Sequence, residues 1–198
     1  MSNRTRDLPA MSGLPAIIRE LRHHEFSRQG LALVFLGLFA YVGMPWSFTW
    51  FVIGASLAVI GQLIRLWASG HVKKNKILAT DGPYAFVRHP LYVGNIVVLI
   101  GLAIASGVWW TFPLLVWFFW FYYPTAISYE DNKLGRLFGS QWAEWRARTH
   151  ALLPRYIPEN QGASSAWSFK QSLIGNGEPI IVAYLLGCLL WLYLKIPV

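Results

Sequence analysis

Three stretches of this chain contain no Asp, Glu, Lys or Arg: Gln29 to Ile64, His89 to Tyr129 and Pro179 to Leu194. The first two run for 36 and 41 residues. A helix rises about 1.5 Å per residue and a bilayer core is roughly 30 Å thick, so each is too long for one crossing and fits a hairpin of two. Gly and Pro punctuation falls near the middle of both. "GMPW" (Gly43 to Trp46) divides the first into helices at about 30–44 and 47–68, and "ASGVWW" (Ala105 to Trp110) divides the second into about 91–106 and 108–127. The third stretch adds a helix at 178–195. The expected fold is all-α, a polytopic transmembrane bundle of about five crossings.

Composition and charge placement support the same reading. Only 13% of residues are charged, where a soluble domain carries roughly 25%. The 11 Trp, 12 Phe and 9 Tyr suit broad interfacial belts. A net charge of +8 would suggest nucleic acid in a soluble protein, but here topology accounts for it. Five cations precede residue 29, five lie from Arg65 to Arg88, six from Lys133 to Lys170, and Lys195 is the last. With the N-terminus inside, all but Lys195 fall in the cytoplasm, as the positive-inside rule expects. The expected partner is the lipid bilayer, with no nucleic acid. A short chain with few loops fits a prokaryotic inner membrane. Cys188 is the one cysteine, so neither a disulfide framework nor a thiol metal site is expected.

Residues 1–29 then form a cytosolic segment in which "LPAIIRELRHHEF" (Leu14 to Phe26) can make an amphipathic helix on the membrane. Residues 30–68 are the first hairpin. Residues 69–158 hold a loop, the second hairpin at 91–127 and a cytosolic helix at 130–150. A polar linker at 159–177 leads to the last helix. A hairpin returns the chain to the side it left, so Arg88–His89 and Glu130–Asp131 emerge at one membrane face. Neighbouring helices lie about 8–10 Å apart, so the basic and acidic pairs can share a pocket. Snorkelling at helix ends is the competing account of such charges.

The strings themselves say more. "GPYAFVRHPLYVG", then an acidic pair, then "LFGSQWAEW", resembles the isoprenylcysteine carboxyl methyltransferase-like family of integral membrane methyltransferases, which includes phospholipid methyltransferases. The matching positions are Gly82, Tyr84, the run Arg88 to Gly94, Glu130–Asp131, Phe138–Gly139, Trp142, Trp145 and Pro154, within about residues 65 to 155. The resemblance implies an S-adenosylmethionine pocket at the cytosolic face and a lipophilic, membrane-dissolved acceptor, either a lipid amine or a small isoprenoid, thiol or carboxylate. It places Lys76, Ile77, Leu78, Ala79, Tyr84, His89, Pro90, Leu91, Tyr92 and Glu130 around the cofactor. Arg88, Glu130 and Asp131 are the expected catalytic set.

Three positions depart from the pattern. Asp131 stands where the family commonly has Glu, Lys76 where it has His, and Ala126 where its carboxyl methyltransferases have an arginine. The last departure argues against a prenylcysteine carboxylate as acceptor. The helix at 178–195 lies beyond the usual end of the family. Two other readings compete. A membrane sterol-type reductase would bind NADPH through Lys73, Lys74 and Lys76, although such enzymes read His-Pro-Asn-Tyr where this chain has His-Pro-Leu-Tyr. An accessory protein would keep the fold without the chemistry.

Overall fold

The computed structural model describes residues 12–72, 77–154, 167–175 and 177–197. Among these residues the architecture is all-helical: α1 (Leu14–His23), α2 (Glu25–Val42), α3 (Phe48–His71), α4 (Pro90–Ser106), α5 (Thr111–Arg148) and α6 (Glu178–Tyr193). A 3-10 turn at Gly82–Ala85 precedes α4, and a π-turn at Gln171–Gly175 precedes α6.

The expected breaks are present, each with a local cause. Between α2 and α3, Ser47 caps the new helix by accepting from the Trp50 N–H at 3.4 Å. Pro90 opens α4 at a position where a missing N–H leaves no bond unmade. Gly107 closes α4 in the left-handed region at φ 69. The two hairpin turns meet at one end of the bundle, where the Met44 N–H donates to the Ser106 carbonyl at 2.9 Å.

Two expectations are corrected. The break anticipated between 127 and 130 is absent. The helix runs on from Thr111 through Asp131, because a change from apolar to charged side chains does not interrupt the backbone ladder. Instead α5 is divided into two limbs at Gly139, where φ is 51. The segment from Trp167 to Gly175, expected within a linker, packs instead. Ser172 is buried and pairs with Ser69 of α3 at 2.7 Å, and the Trp167 indole donates to the Leu66 carbonyl at 3.3 Å.

Helix length does not by itself establish five crossings. Among the described residues one helix, Phe48–His71, is both long and apolar enough to cross a bilayer. The apolar helices Arg28–Val42, Pro90–Ser106 and Glu178–Tyr193 are shorter. At about 1.5 Å per residue, the 17 residues of α4 fall somewhat below a core roughly 30 Å thick.

Helices α3 and α4 pack backbone to backbone. Gly54 and Gly61 on α3 face Gly94 and Gly101 on α4, and a Cβ added at any of the four would come within 3.0 Å of the opposing main chain. Small residues allow that approach. The main core is built from Phe35, Phe39, Leu99, Leu102, Phe118 and Leu189, among others. A second cluster of Ala68, Leu78, Tyr84, Trp142 and Trp145 forms at the end of the bundle opposite the hairpin turns. The bend at Gly139 brings its two tryptophans back over the loop that precedes α4.

Candidate functional site

A cavity of about 550 Å³ lies at the junction of these two cores. Its walls come from α2, α3, α4, α5, α6 and the segment from Ile77 to His89. Main-chain bonds fix the entry to α4. The Arg88 N–H donates to the His150 carbonyl at 2.8 Å, and the His89 N–H to the Ala151 carbonyl at 3.0 Å. The Tyr84 N–H closes the preceding turn on the Asp81 carbonyl at 3.0 Å. Residues before α4 and after α5 are therefore one structural unit, although the whole second hairpin separates them in sequence.

The charged end of the cavity is a connected network. Arg88 directs Nη2 to Asp131 Oδ2 at 3.0 Å and Nε to Asp131 Oδ1 at 3.4 Å, while Nη1 donates to the Thr149 carbonyl. His89 bridges the acidic pair, with Nε2 at 3.0 Å from Asp131 and Nδ1 at 3.4 Å from Glu130. Tyr92 donates its hydroxyl to Glu130 Oε1 at 2.5 Å and accepts from Arg28 Nη1 at 2.7 Å. The Arg28 guanidinium also sits over the Tyr92 ring, 4.7 Å from its centre.

Burial and charge pull the ionisation of this network in opposite directions. Burial works against a charged His89, but hydrogen bonds and attraction from Asp131 and Glu130 outweigh it and raise its pKa above the ordinary range. Burial likewise opposes ionisation of both acids. For Glu130 the hydrogen bond from His89 prevails, and for Asp131 the bonds from His89 and Arg88 do, so both pKa values are lowered. The Tyr84 hydroxyl is pushed well up by burial and by the Glu130 charge. The network thus favours a protonated imidazole held between two carboxylates.

Most residues expected at the site reach the cavity. Ile77, Leu78, Ala79, Tyr84, Arg88, His89, Leu91, Tyr92 and Glu130 all line it. Lys76 lies outside the described residues. Pro90 does not line the cavity; it is buried at the first position of α4. Asp131 does not line it either, although Glu130 beside it on α5 does. Successive helical residues point about 100° apart, so two adjacent acids on α5 cannot share one direction. Asp131 is buried at 6% exposure and anchors Arg88 and His89 from behind. Glu130 keeps a third of its side chain exposed.

The sequence did not point to several lining residues, Arg28, Gln62, Arg65, Asn95 and Glu178, and it marked Trp145 only as a motif position. Arg65 and Glu178 were visible only as the charges that bound two apolar stretches. On α4, the spacing Tyr92, Asn95, Val98 and Leu99 was an available signal, since residues three and four apart share a face.

The cavity suits a ligand with polar and apolar parts. Trp145 lines it, and its buried indole N–H has no acceptor among the described residues. A carboxylate or a heterocyclic nitrogen would satisfy that donor. Glu130, with carboxylate surface open to the cavity, can accept from hydroxyl or ammonium groups. These donor and acceptor types match the groups on S-adenosylmethionine, and the apolar Ile77, Leu78 and Leu91 can flank its less polar parts.

Comparison with known proteins agrees with the motifs. Residues 49–141 match the phospholipid methyltransferase family. The chain is 36% identical over 141 residues to the cobalt-zinc-cadmium resistance protein CzcN of Cupriavidus metallidurans, covering 65% of this chain and 63% of that protein. It is 33% identical over 120 residues to the nickel-cobalt-cadmium resistance protein NccN of Alcaligenes xylosoxydans xylosoxydans, covering 56% of this chain and 54% of that one. It is 27% identical over 100 residues to the protein-S-isoprenylcysteine O-methyltransferase of Schizosaccharomyces pombe, covering 50% and 42%. The chain thus spans about three-fifths or less of the length of these relatives. No solved structure matches it. Over residues 49–141, the resemblance to the isoprenylcysteine and phospholipid methyltransferase family of membrane enzymes is shown.

Proposed function

We propose that this protein is an integral membrane methyltransferase that uses S-adenosylmethionine to methylate a lipophilic acceptor drawn from the bilayer. The observation that carries the reading is the cavity itself. It joins a charged network at one end, set on the family's own Arg88–His89 and Glu130, to an apolar end lined by Leu36, Val98, Leu99 and Phe118. In this reading α2, α3, α4, the first limb of α5 and α6 cross the membrane, with the N-terminus and the charged end on the cytoplasmic side of a prokaryotic inner membrane. Water-soluble cofactor then arrives at one end and membrane-dissolved acceptor at the other.

S-adenosylmethionine, when bound, supplies a methyl group on a cationic sulfur. The protein's task is to align two ligands and exclude water, because charge is neutralised as the methyl moves. Arg88 and His89 present positive charge to a carboxylate. Glu130 accepts hydrogen bonds, and Tyr92 and Arg28 hold it in position. Glu130 is held chiefly as a binding group, and as the carboxylate open to the cavity it also takes the proton that an amine or hydroxyl acceptor must give up when it is methylated. Lys76 belongs to the segment expected along the cofactor.

Calorimetric titration of S-adenosylmethionine into the detergent-solubilised protein tests this reading. Saturable binding is expected in the wild type, weakened at least about tenfold by Glu130→Gln or His89→Ala, as loss of a charge-assisted bond implies. Absence of binding by folded wild-type protein, or saturable NADPH binding in its place, would overturn it.

A further inference from the structure

One turn of α4 beyond the charged network, the cavity wall carries a second set of polar groups that the cofactor reading does not use. Arg65 of α3 pairs with Glu178 of α6, with Nη2 to Oε1 at 2.7 Å and Nε to Oε2 at 3.3 Å, while its Nη1 donates to Asn95 of α4. Gln62 of α3 donates its amide N–H to Glu178 Oε2 at 2.8 Å. Glu178 is only 1% exposed. All four residues line the cavity. Asn95 follows Tyr92 by three residues, a rise of about 4.5 Å, and Val98 and Leu99 follow one further turn on. Along this face the cavity passes from ionic to polar to apolar.

One atom in this belt has no partner. Gln62 is 5% exposed, and its Oε1 is buried without a hydrogen bond among the described residues. The orientation of its amide follows from chemistry: Glu178 only accepts, so the nitrogen must face it and the oxygen must face away. A buried acceptor without a donor carries a desolvation cost that a suitable ligand would remove. The donors of Arg65 are turned toward Glu178 and Asn95. What the belt lacks is an N–H or O–H.

We propose that Gln62, Arg65, Asn95 and Glu178 form the head-group subsite for the methyl acceptor, that this subsite takes an amine or hydroxyl head, and that α6 exists to complete it. This rests on the reading that the cavity admits an amphipathic acceptor. An anionic head would set oxygen against Gln62 Oε1 and the Glu178 carboxylate. An amine or hydroxyl satisfies Gln62 and leaves the Arg65–Glu178 pair intact. Its tail continues past Ile181 toward Val98, Leu99 and Phe118. The extra C-terminal helix then has a function, since without Glu178 the Arg65 charge would stand unpaired in an apolar wall.

Dodecylamine, dodecanol and dodecanoate share one tail and differ in the head. Each is titrated by calorimetry into the protein in neutral maltoside micelles, with S-adenosylmethionine titrated separately into the same samples. The amine and the alcohol are expected to bind at least about fivefold more tightly than the carboxylate, and Gln62→Met to remove that advantage, as one buried hydrogen bond implies. Ile181→Trp, which fills the tail path, is expected to abolish binding of all three while S-adenosylmethionine still binds. Equal or tighter dodecanoate binding by the wild type overturns the proposal whatever the variants do. So does a Gln62→Met protein that binds the amine and alcohol as the wild type does. Head-group discrimination without S-adenosylmethionine binding supports the subsite and counts against the methyltransferase reading alone.

Discussion

Glu130 and Asp131 are neighbours in sequence with opposite tasks, and the helix itself divides them. One faces the cavity with a third of its side chain exposed; the other is buried behind Arg88 and His89. Replacing Asp131 by Asn leaves the Arg88 charge in a poorly hydrated place without its counter-charge. Breaking a buried pair from one side costs about 3 kcal/mol or more. The expected result is a clear fall in melting temperature for Asp131→Asn. Glu130→Gln, with more access to water, is expected to lose cofactor affinity with less loss of stability. Equal melting losses in the two variants would show that Asp131 is no anchor.

The same network sets a pH window. The raised pKa of His89 means that the folded state holds its proton more tightly than the unfolded chain does. That stabilisation is complete below the ordinary histidine value and fades as pH rises through the raised one. The lowered pKa values of Glu130 and Asp131 act in the other direction. Their contribution is present above the ordinary carboxylate range and fades as pH falls through the lowered values. Melting temperature against pH should therefore show a plateau in mildly acidic conditions, between the ordinary carboxylate and histidine values, with a decline on each side. His89→Gln should flatten the alkaline decline, and an unchanged alkaline limb in that variant would assign it to another group.

At the scale of elements, α3 and α4 are joined through glycine where most of the bundle is joined through large side chains. A methyl added at Gly61 would press on the Val98 N–H and the Gly94 carbonyl, neither of which can move without its helix. Gly61→Ala is expected to destabilise by about 1–3 kcal/mol through overpacking, and to widen the gap between Arg65 and Asn95. Gly187 on α6 has open space at the same position, so Gly187→Ala should be neutral or slightly stabilising. Thermal melts of the two variants give the comparison, and a Gly61→Ala protein as stable as wild type would mean that the helices are less closely apposed. Helix ends were legible in the sequence where they carry their own chemistry: Pro90 at a first turn, Gly107 at a left-handed cap, Gly43 to Trp46 between two apolar runs. The continuity of α5 through 127–130 was not, because charge marks where lipid ends and says nothing about where a backbone ladder ends. The family motif brought Arg88, His89, Tyr92 and Glu130 to the cavity. The belt beyond them was hidden because Arg65 and Glu178 stand 113 residues apart and meet only when α6 docks.

At the scale of the whole molecule, polar groups mark both ends of the bundle in a way that fixes its expected orientation. Arg28, Arg65, Arg88 and Glu130 gather toward one end. At the other, the turn after α2 meets the turn after α4, and the Lys195 ammonium donates to the carbonyls of Ala40 at 3.1 Å and Gly43 at 3.2 Å. Helix α6 thus runs between them, with Glu178 at the cationic end and Lys195 beside the far turns. The inner leaflet is anionic and retains basic loops, so the proposed function expects the Arg28–Arg88 end in the cytoplasm. The chain's one cysteine makes this directly measurable. In a Cys188→Ala background, Met44→Cys puts a thiol in the turn after α2, at a residue 76% exposed, and Lys133→Cys puts one on the exposed surface of α5 beyond Glu130. A membrane-impermeant maleimide added to intact cells, with access to the outer face of the inner membrane, should label the thiol at 44 and leave that at 133 until the membrane is opened. The reverse pattern would put the charged end of the cavity outside, away from cytoplasmic S-adenosylmethionine, and the proposed function would fail with it. Labelling of both thiols in sealed membranes would mean that α3 does not separate two compartments, and the bundle would then lie on the bilayer without crossing it.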